Sequence, residues 1–231
     1  MASDITYSEV VREERHFMAG VFAWMGLGLA LTGIVAAGVA SVPVMVQAIF
    51  SNRLLFFGLI ILQLILVFRL SGAVASSTSA SVATLMFFIY AALNGLTLSV
   101  IFLAYTSSSI ATAFLTTACT FGVMSLYGYM TETDLSSLGN LLFMALIGLI
   151  IASLVNLWFH NPAVMWVTTY AGILIFVGLT AYDTQKIKHL FRGDEHGDQE
   201  EKEAISGALA LYLDFINIFL NLLNVMGRRK E

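Results

Sequence analysis

The chain has 231 residues, of which 58% are hydrophobic and only 11% charged, against about 25% charged in soluble domains. Apolar runs of about 20 residues, the length a helix needs to cross the hydrocarbon core, recur between short polar gaps, implying one integral membrane domain with no room for a second, soluble one. A formal charge of −4 without a lysine- and arginine-rich tract excludes nucleic acid as a partner, and the single cysteine, Cys119, excludes an internal disulfide or a cysteine metal cluster and is expected only to pack.

The first sixteen residues, MASDITYSEVVREERH, mix four acids with two arginines. They offer no small-residue cleavage site after a short apolar region, so the first span is expected to stay attached. Seven spans follow, at 17–41, 54–70, 82–105, 110–130, 141–159, 164–187 and 204–226. The chain thus divides into an amino-terminal segment (1–16), a transmembrane domain (17–226) and a basic tail (227–231). Each span is expected to be a helix, because a backbone in lipid must satisfy its own hydrogen bonds and these runs lack the alternation of a barrel strand. Pro43 and Pro162 both fall between spans, which speaks against kinked or broken helices. Gly20, Gly26, Gly28, Gly33 and Gly38 in the first span, Gly122 and Gly128 in the fourth, and Gly172 and Gly178 in the sixth let helices approach closely. The serine-rich stretch 71–81 reads as a flexible cytoplasmic loop.

Seven crossings put Arg12, Arg15, Arg69, Lys186, Lys188, Arg192 and Lys202 on the amino-terminal side, and Arg53, Arg228, Arg229 and Lys230 on the other. That bias favours a cytoplasmic amino terminus. The tail RRK pulls the opposite way, and an incompletely crossing last segment would leave both termini in the cytoplasm.

Two aspartates, Asp183 and Asp214, stand inside otherwise apolar spans. A carboxylate at the bilayer centre costs about 2.5 to 3.5 kcal/mol on insertion scales, so each needs a partner or an aqueous cavity. In LYLDFINIFLNLLN the polar members Asp214, Asn217, Asn221 and Asn224 share one helix face, which Ala210 and Gly207 extend backwards with small side chains. A narrow polar face suits a helix lining a wet path, and the plainer alternative is an asparagine ladder that joins helices. Asp183 in GLTAYDTQKIKH is flanked by Thr180 and Lys186, and a local pair with Lys186 is its plainer alternative. Counting from the span centres puts Asp183 roughly 10 Å nearer the cytoplasm than Asp214, at about 1.5 Å per residue. Their direct contact therefore requires tilt or a shifted register.

The segments TAYDTQKIKH and LYLDFINIFLNLLNVMG resemble the sixth and seventh spans of the Bax inhibitor-1 (transmembrane Bax inhibitor motif) family, in its bacterial branch. NGLTLS at 94–99, SLYGYMTETDLSSLG at 125–139 and IIASLVN at 150–156 fit the same pattern. The resemblance implies an all-α fold of seven transmembrane helices with the last helix central, a bacterial inner membrane location, and a proton-sharing aspartate pair that gates a calcium leak. Those roles fall on Asp183 and Asp214. Some calcium-leak members carry an acidic residue in the second span, where this chain offers Gln63 as an ion-path candidate beside Asn217 and Asn221; a neutral amide attracts divalent ions less. Arg69, at the cytoplasmic end of that span, matches a basic residue thought to pair with the first aspartate in relatives, and its alternative is a snorkelling interfacial arginine. Relatives are also linked to a membrane protease and other membrane proteins.

The physics of such a pair stands without the resemblance. Two carboxylates in hydrogen-bond contact cannot both ionise in a poorly hydrated site, so the pair titrates in two macroscopic steps. Sharing one proton holds two helices together, and losing it sets two charges side by side or recruits a cation. Calcium prefers hard oxygen ligands, and Asp183 and Asp214 with the amide oxygens of Asn217 and Asn221 can supply them. Elsewhere GDEHGDQEEKE (193–203) lacks EF-hand spacing, and His160, His189 and His196 have no histidine partner at i+3 or i+4. Thr112, Thr116 and Thr120 are expected to bond back to their own helix. No nucleophile, base and orienting group occur together and no phosphate loop is present, so neither an enzyme nor a cofactor is expected. The expected function is a pH-sensitive cation leak, calcium first, against a non-conducting regulator of membrane proteins or a proton-coupled carrier.

Overall fold

The computed structural model describes residues 7–72, 74, 78–191 and 197–230. Part of the serine-rich loop, part of the acidic connector with Arg192 and His196, and both chain ends lie outside the described residues. Among the described residues every regular element is a helix: α1 (Tyr7–Ala40), α2 (Pro43–Ser51), α3 (Arg53–Ser71), α4 (Ala80–Ala104), α5 (Ser107–Met130), α6 (Ser136–Phe159), α7 (Pro162–Leu190) and α8 (Asp198–Met226). All but α2 are long and apolar enough to cross a membrane. The chain is an all-α polytopic membrane protein with the seven spans that its apolar runs imply.

Local chemistry explains the boundaries. The Asn52 side chain accepts from Leu55 N (3.2 Å) to start α3, and Thr106 Oγ1 accepts from Ser109 N (3.3 Å) to start α5, each satisfying an orphan donor of a first turn. Pro43 and Pro162 open α2 and α7, where a missing N–H costs nothing. His160 ends α6 in the left-handed region, φ 49°. The short α2 is absent from the sequence reading, being too brief for a span; Val46 and Ile49, one turn apart, bury it against Val39.

The helices form two compact units. The first comprises α1–α4, the end of α7 from Ile187, and α8 up to Tyr212. There α1 and α4 cross closely at Gly95, where a Cβ would lie 2.7 Å from the Thr32 carbonyl oxygen. Beside that crossing Asn94 Nδ2 donates to the Tyr212 hydroxyl (2.9 Å), which lies 2.7 Å from Thr32 Oγ1; that hydroxyl in turn reaches the Ala91 carbonyl (2.9 Å). Amide to phenol to hydroxyl to carbonyl, each donor finds an acceptor, and three helices are joined with no charge.

The second unit comprises α5, α6, α7 up to Lys186, and α8 from Leu213. Its core sets Ile175, Phe176 and Leu179 of α7 against Ile218 of α8, with Leu142, Leu146 and Leu149 of α6 packed around them. The most apolar stretch of α8 is 50% buried, against 6% for α6 and at most 33% elsewhere, so the last helix is the enclosed one. It is also continuous. The tail docks beyond it: Thr106 N donates to the Arg228 carbonyl (3.1 Å), Arg228 N donates to Ser109 Oγ (2.9 Å), and Tyr105 and Arg229 form an antiparallel bridge.

Candidate functional site: an aspartate pair between the last two helices

Three contacts fix how α8 lies along α7. Asn224 Nδ2 donates to Thr169 Oγ1 (2.9 Å), the Asn221 amide fills the space that Gly172 leaves open, and Asp214 forms a side-chain hydrogen bond with Asp183. Each step towards the carboxyl end of α7 meets a step towards the amino end of α8, so the helices are antiparallel and the polar stripe faces α7. The depth mismatch is resolved by stagger: this pairing offsets the midpoints of the two apolar spans by about one helical turn. Asp183 and Asp214 meet directly.

The pair is dry. Asp214 is 3% exposed, its Oδ2 is buried with no hydrogen-bond partner, and Asp183 is half-buried. The local alternative for Asp183 does not form, since Lys186 Nζ lies over the Tyr182 ring, 5.8 Å from its centroid, and makes no ion pair with the carboxylate. Lys186 is nonetheless the cation whose field reaches Asp183. Two glycines bring other helices onto the same stretch of α7, Gly128 of α5 against the Ala181 backbone and Gly139 of α6 against the Tyr182 ring.

The asparagines divide. Asn217 and Asn221 donate their Nδ2 hydrogens to carbonyls of their own helix, Leu213 O and Asn217 O (2.8 Å each). Only Asn224 of the three joins α7 by a hydrogen bond, so the ladder reading holds there alone, and Oδ1 of Asn217 and Asn221 are the atoms a cation could meet. Gln63 and Arg69 belong to the first unit. Gln63 Nε2 donates to Thr97 Oγ1 (3.2 Å) at an α3–α4 contact, and Arg69 is exposed at the end of α3. Cys119 is exposed on α5 rather than packed.

The family model described as "Inhibitor of apoptosis-promoting Bax1" matches residues 14–231. The chain belongs to the Bax inhibitor-1 family. It is 52% identical over 216 residues to the inner membrane protein YbhL of Escherichia coli, covering 93% of this chain and 92% of that one. A protein of Deinococcus radiodurans is 44% identical over 225 residues (97% and 96%), and a membrane protein of Streptococcus pyogenes is 36% identical over 231 residues (99% of each chain). The resemblance carried by TAYDTQKIKH and LYLDFINIFLNLLNVMG therefore extends over the whole membrane domain of this Bax inhibitor-1 family member.

Two residues beside the aspartates passed unnoticed in the sequence of this family member. Tyr212, two before Asp214, is fully buried and anchors the first unit; a tyrosine in mid-span needs a hydrogen-bond partner, which was the available signal. Gln185, two after Asp183, is 5% exposed, and its partners in the α5–α6 connector left no local signal. Among the described residues no three His, Cys, Asp or Glu side chains converge on a metal position, so a calcium ion meeting the pair would need amide, carbonyl or water oxygens to complete its shell.

Proposed function

We propose that this integral membrane protein is a pH-sensitive cation leak channel, with calcium the first candidate ion, Asp183 and Asp214 the gate and proton sensor, and Asn217 and Asn221 the adjoining path. The observation that carries this reading is the direct hydrogen bond between two carboxyls at the α7–α8 interface of a membrane-spanning bundle. A charge is not needed to join helices, since Asn224 and Thr169 do so without one. In a dehydrated site the two carboxyls bind one proton between them; its loss sets two like charges in contact and drives the helices to separate or to accept a cation. Two carboxylates with amide oxygens are hard ligands too few to trap calcium, and conduction needs binding weak enough to release. A cytoplasmic amino terminus follows from the basic residues of the connectors.

The test is ion flux into liposomes that contain only this protein, measured from about pH 6 to pH 8, which brackets the titration of a buried carboxyl. Parental flux is expected to vary with pH, and Asp183→Asn and Asp214→Asn to flatten that response, because an amide cannot lose the proton. The double variant should add little to either single, since both act on one equilibrium. Additive effects, or a full pH response in both singles, would refute a coupled gate. No flux at all would favour a non-conducting regulator of a membrane protease or another membrane protein, and proton movement coupled to solute uptake a carrier.

A further inference from the structure

On the side away from α8, the α7 stretch that bears Asp183 is tied to the α5–α6 connector by the Gln185 side chain. Gln185 follows Asp183 by two residues, a rotation of about 200° around a helix, so the two side chains leave α7 on nearly opposite faces. Its Oε1 accepts from Leu135 N (2.8 Å) and its Nε2 donates to the Thr133 carbonyl (2.8 Å). Those groups belong to the short connector between α5 and α6, residues 131–135, which has no helical partner for either of them. The primary amide matches the N–H and C=O of residues two apart as a neighbouring strand would. Two bonds to one planar amide fix its orientation as well as its position.

Further fixed points lie beside the clasp, where the Ala181 backbone meets Gly128 and the Tyr182 ring meets Gly139. On the α8 side, the Phe215 ring next to Asp214 packs on Phe114 and Phe121 with centroids 5.3 and 5.5 Å apart. From this arrangement we infer that Gln185 is a positioning residue for the aspartate pair: by clasping Thr133 and Leu135 it holds Asp183 against Asp214. The inference rests on the gate reading above. Besides the two carboxyls themselves, the charged group acting on the pair is Lys186 of α7; Glu132 and Asp134 of the connector are exposed, with Asp134 Oδ1 accepting from Ser136 N (2.8 Å).

Opening the clasp lets α7 draw back. Carboxyls drawn apart interact more weakly and hold a shared proton less tightly, so the half-maximal pH of flux should fall whether protonation opens or closes the path. The experiment measures calcium flux against pH for the full chain in liposomes, normalised to folded protein, in the parent, Gln185→Leu, Gln185→Glu, Asp214→Asn and Thr117→Ala. Gln185→Leu keeps the volume and loses both bonds; Gln185→Glu keeps an acceptor for Leu135 N but sets an oxygen against the Thr133 carbonyl. Thr117 is fully buried in α5 and bonded only to its own helix (Ala113 O, 2.7 Å), so Thr117→Ala is the structural control. Both Gln185 variants are expected to lower the half-maximal pH, by about half a unit or more for Gln185→Leu, while Thr117→Ala keeps the parental value. Parental midpoints in the Gln185 variants alongside a flattened Asp214→Asn profile overturn this inference alone, as does an equal shift in Thr117→Ala. An unchanged Asp214→Asn profile removes the gate reading and this inference with it. If Gln185→Leu does not insert, Gln185→Glu decides by the same criterion.

Discussion

Gly128 shows how much one absent methyl group controls. Its Cα faces the Ala181 carbonyl, so an alanine there would overlap backbone rather than a side chain able to rotate away. Overpacking a filled contact costs about 1 to 3 kcal/mol, and more where backbone must move. Gly128→Ala should therefore lower the thermal unfolding temperature in detergent and pull the Asp183 stretch of α7 away from α5. Gly26 of α1 makes the opposite case, because nothing lies within 4 Å of its would-be Cβ. Gly26→Ala should be neutral or stabilising by up to about 1 kcal/mol, the helix-propensity gain. Equal gains in the two variants would mean that helix propensity, rather than the α5–α7 approach, governs both. Sequence placed both glycines in spans as means of close approach, but only the neighbours decide which one is indispensable.

At the level of helices, Gln63 defines what α3 does. Its amide bonds to Thr97 of α4, so a carboxylate at that position meets the Thr97 hydroxyl. Gln63→Glu is expected to give no gain in calcium flux per folded protein and a lower unfolding temperature, from a buried charge without a cation. A rise in calcium flux at any pH between about 6 and 8, where a buried carboxyl can ionise, would instead make α3 pore-lining. The same contrast explains what could be read beforehand. Seven spans were legible because apolar length and polar gaps are local properties, and the aspartates and the asparagine stripe because a charge in an apolar run and an i, i+3, i+7 spacing are local too. The nine-residue α2 escaped because it is shorter than a span, although Pro43 marked its start. The Asp183–Asp214 contact was doubtful from counting because spacing along one helix contains no information on the stagger between two. Gln185 and Tyr212 escaped for the same reason, since their partners lie 50 or more residues away.

Over the whole molecule, α8 is the one long helix divided near its middle between the two units, the change falling between Tyr212 and Leu213. The first part is joined to α1 and α4 through the Tyr212 hydroxyl, and the second to α7 through Asp214, Asn221 and Asn224. A continuous helix carries its backbone hydrogen bonds across that boundary, so loosening its first part should be felt by its second. Tyr212→Phe provides the means, because it keeps the ring that packs edge-on against Phe87 and Tyr90 (centroids 6.0 and 5.7 Å) and removes only the hydroxyl. Thr32 and Asn94 then lose a buried partner, at a cost of about 1 to 3 kcal/mol. The three tryptophans allow each unit to be followed, Trp24 in the first and Trp158 and Trp166 in the second. In variants retaining Trp24 alone, or Trp166 alone, Tyr212→Phe should lower the unfolding midpoint by several degrees and by the same amount for both reporters. A shift seen by Trp24 while Trp166 keeps its parental midpoint would mean that α8 does not couple the units, and that the aspartate pair responds only to its own surroundings.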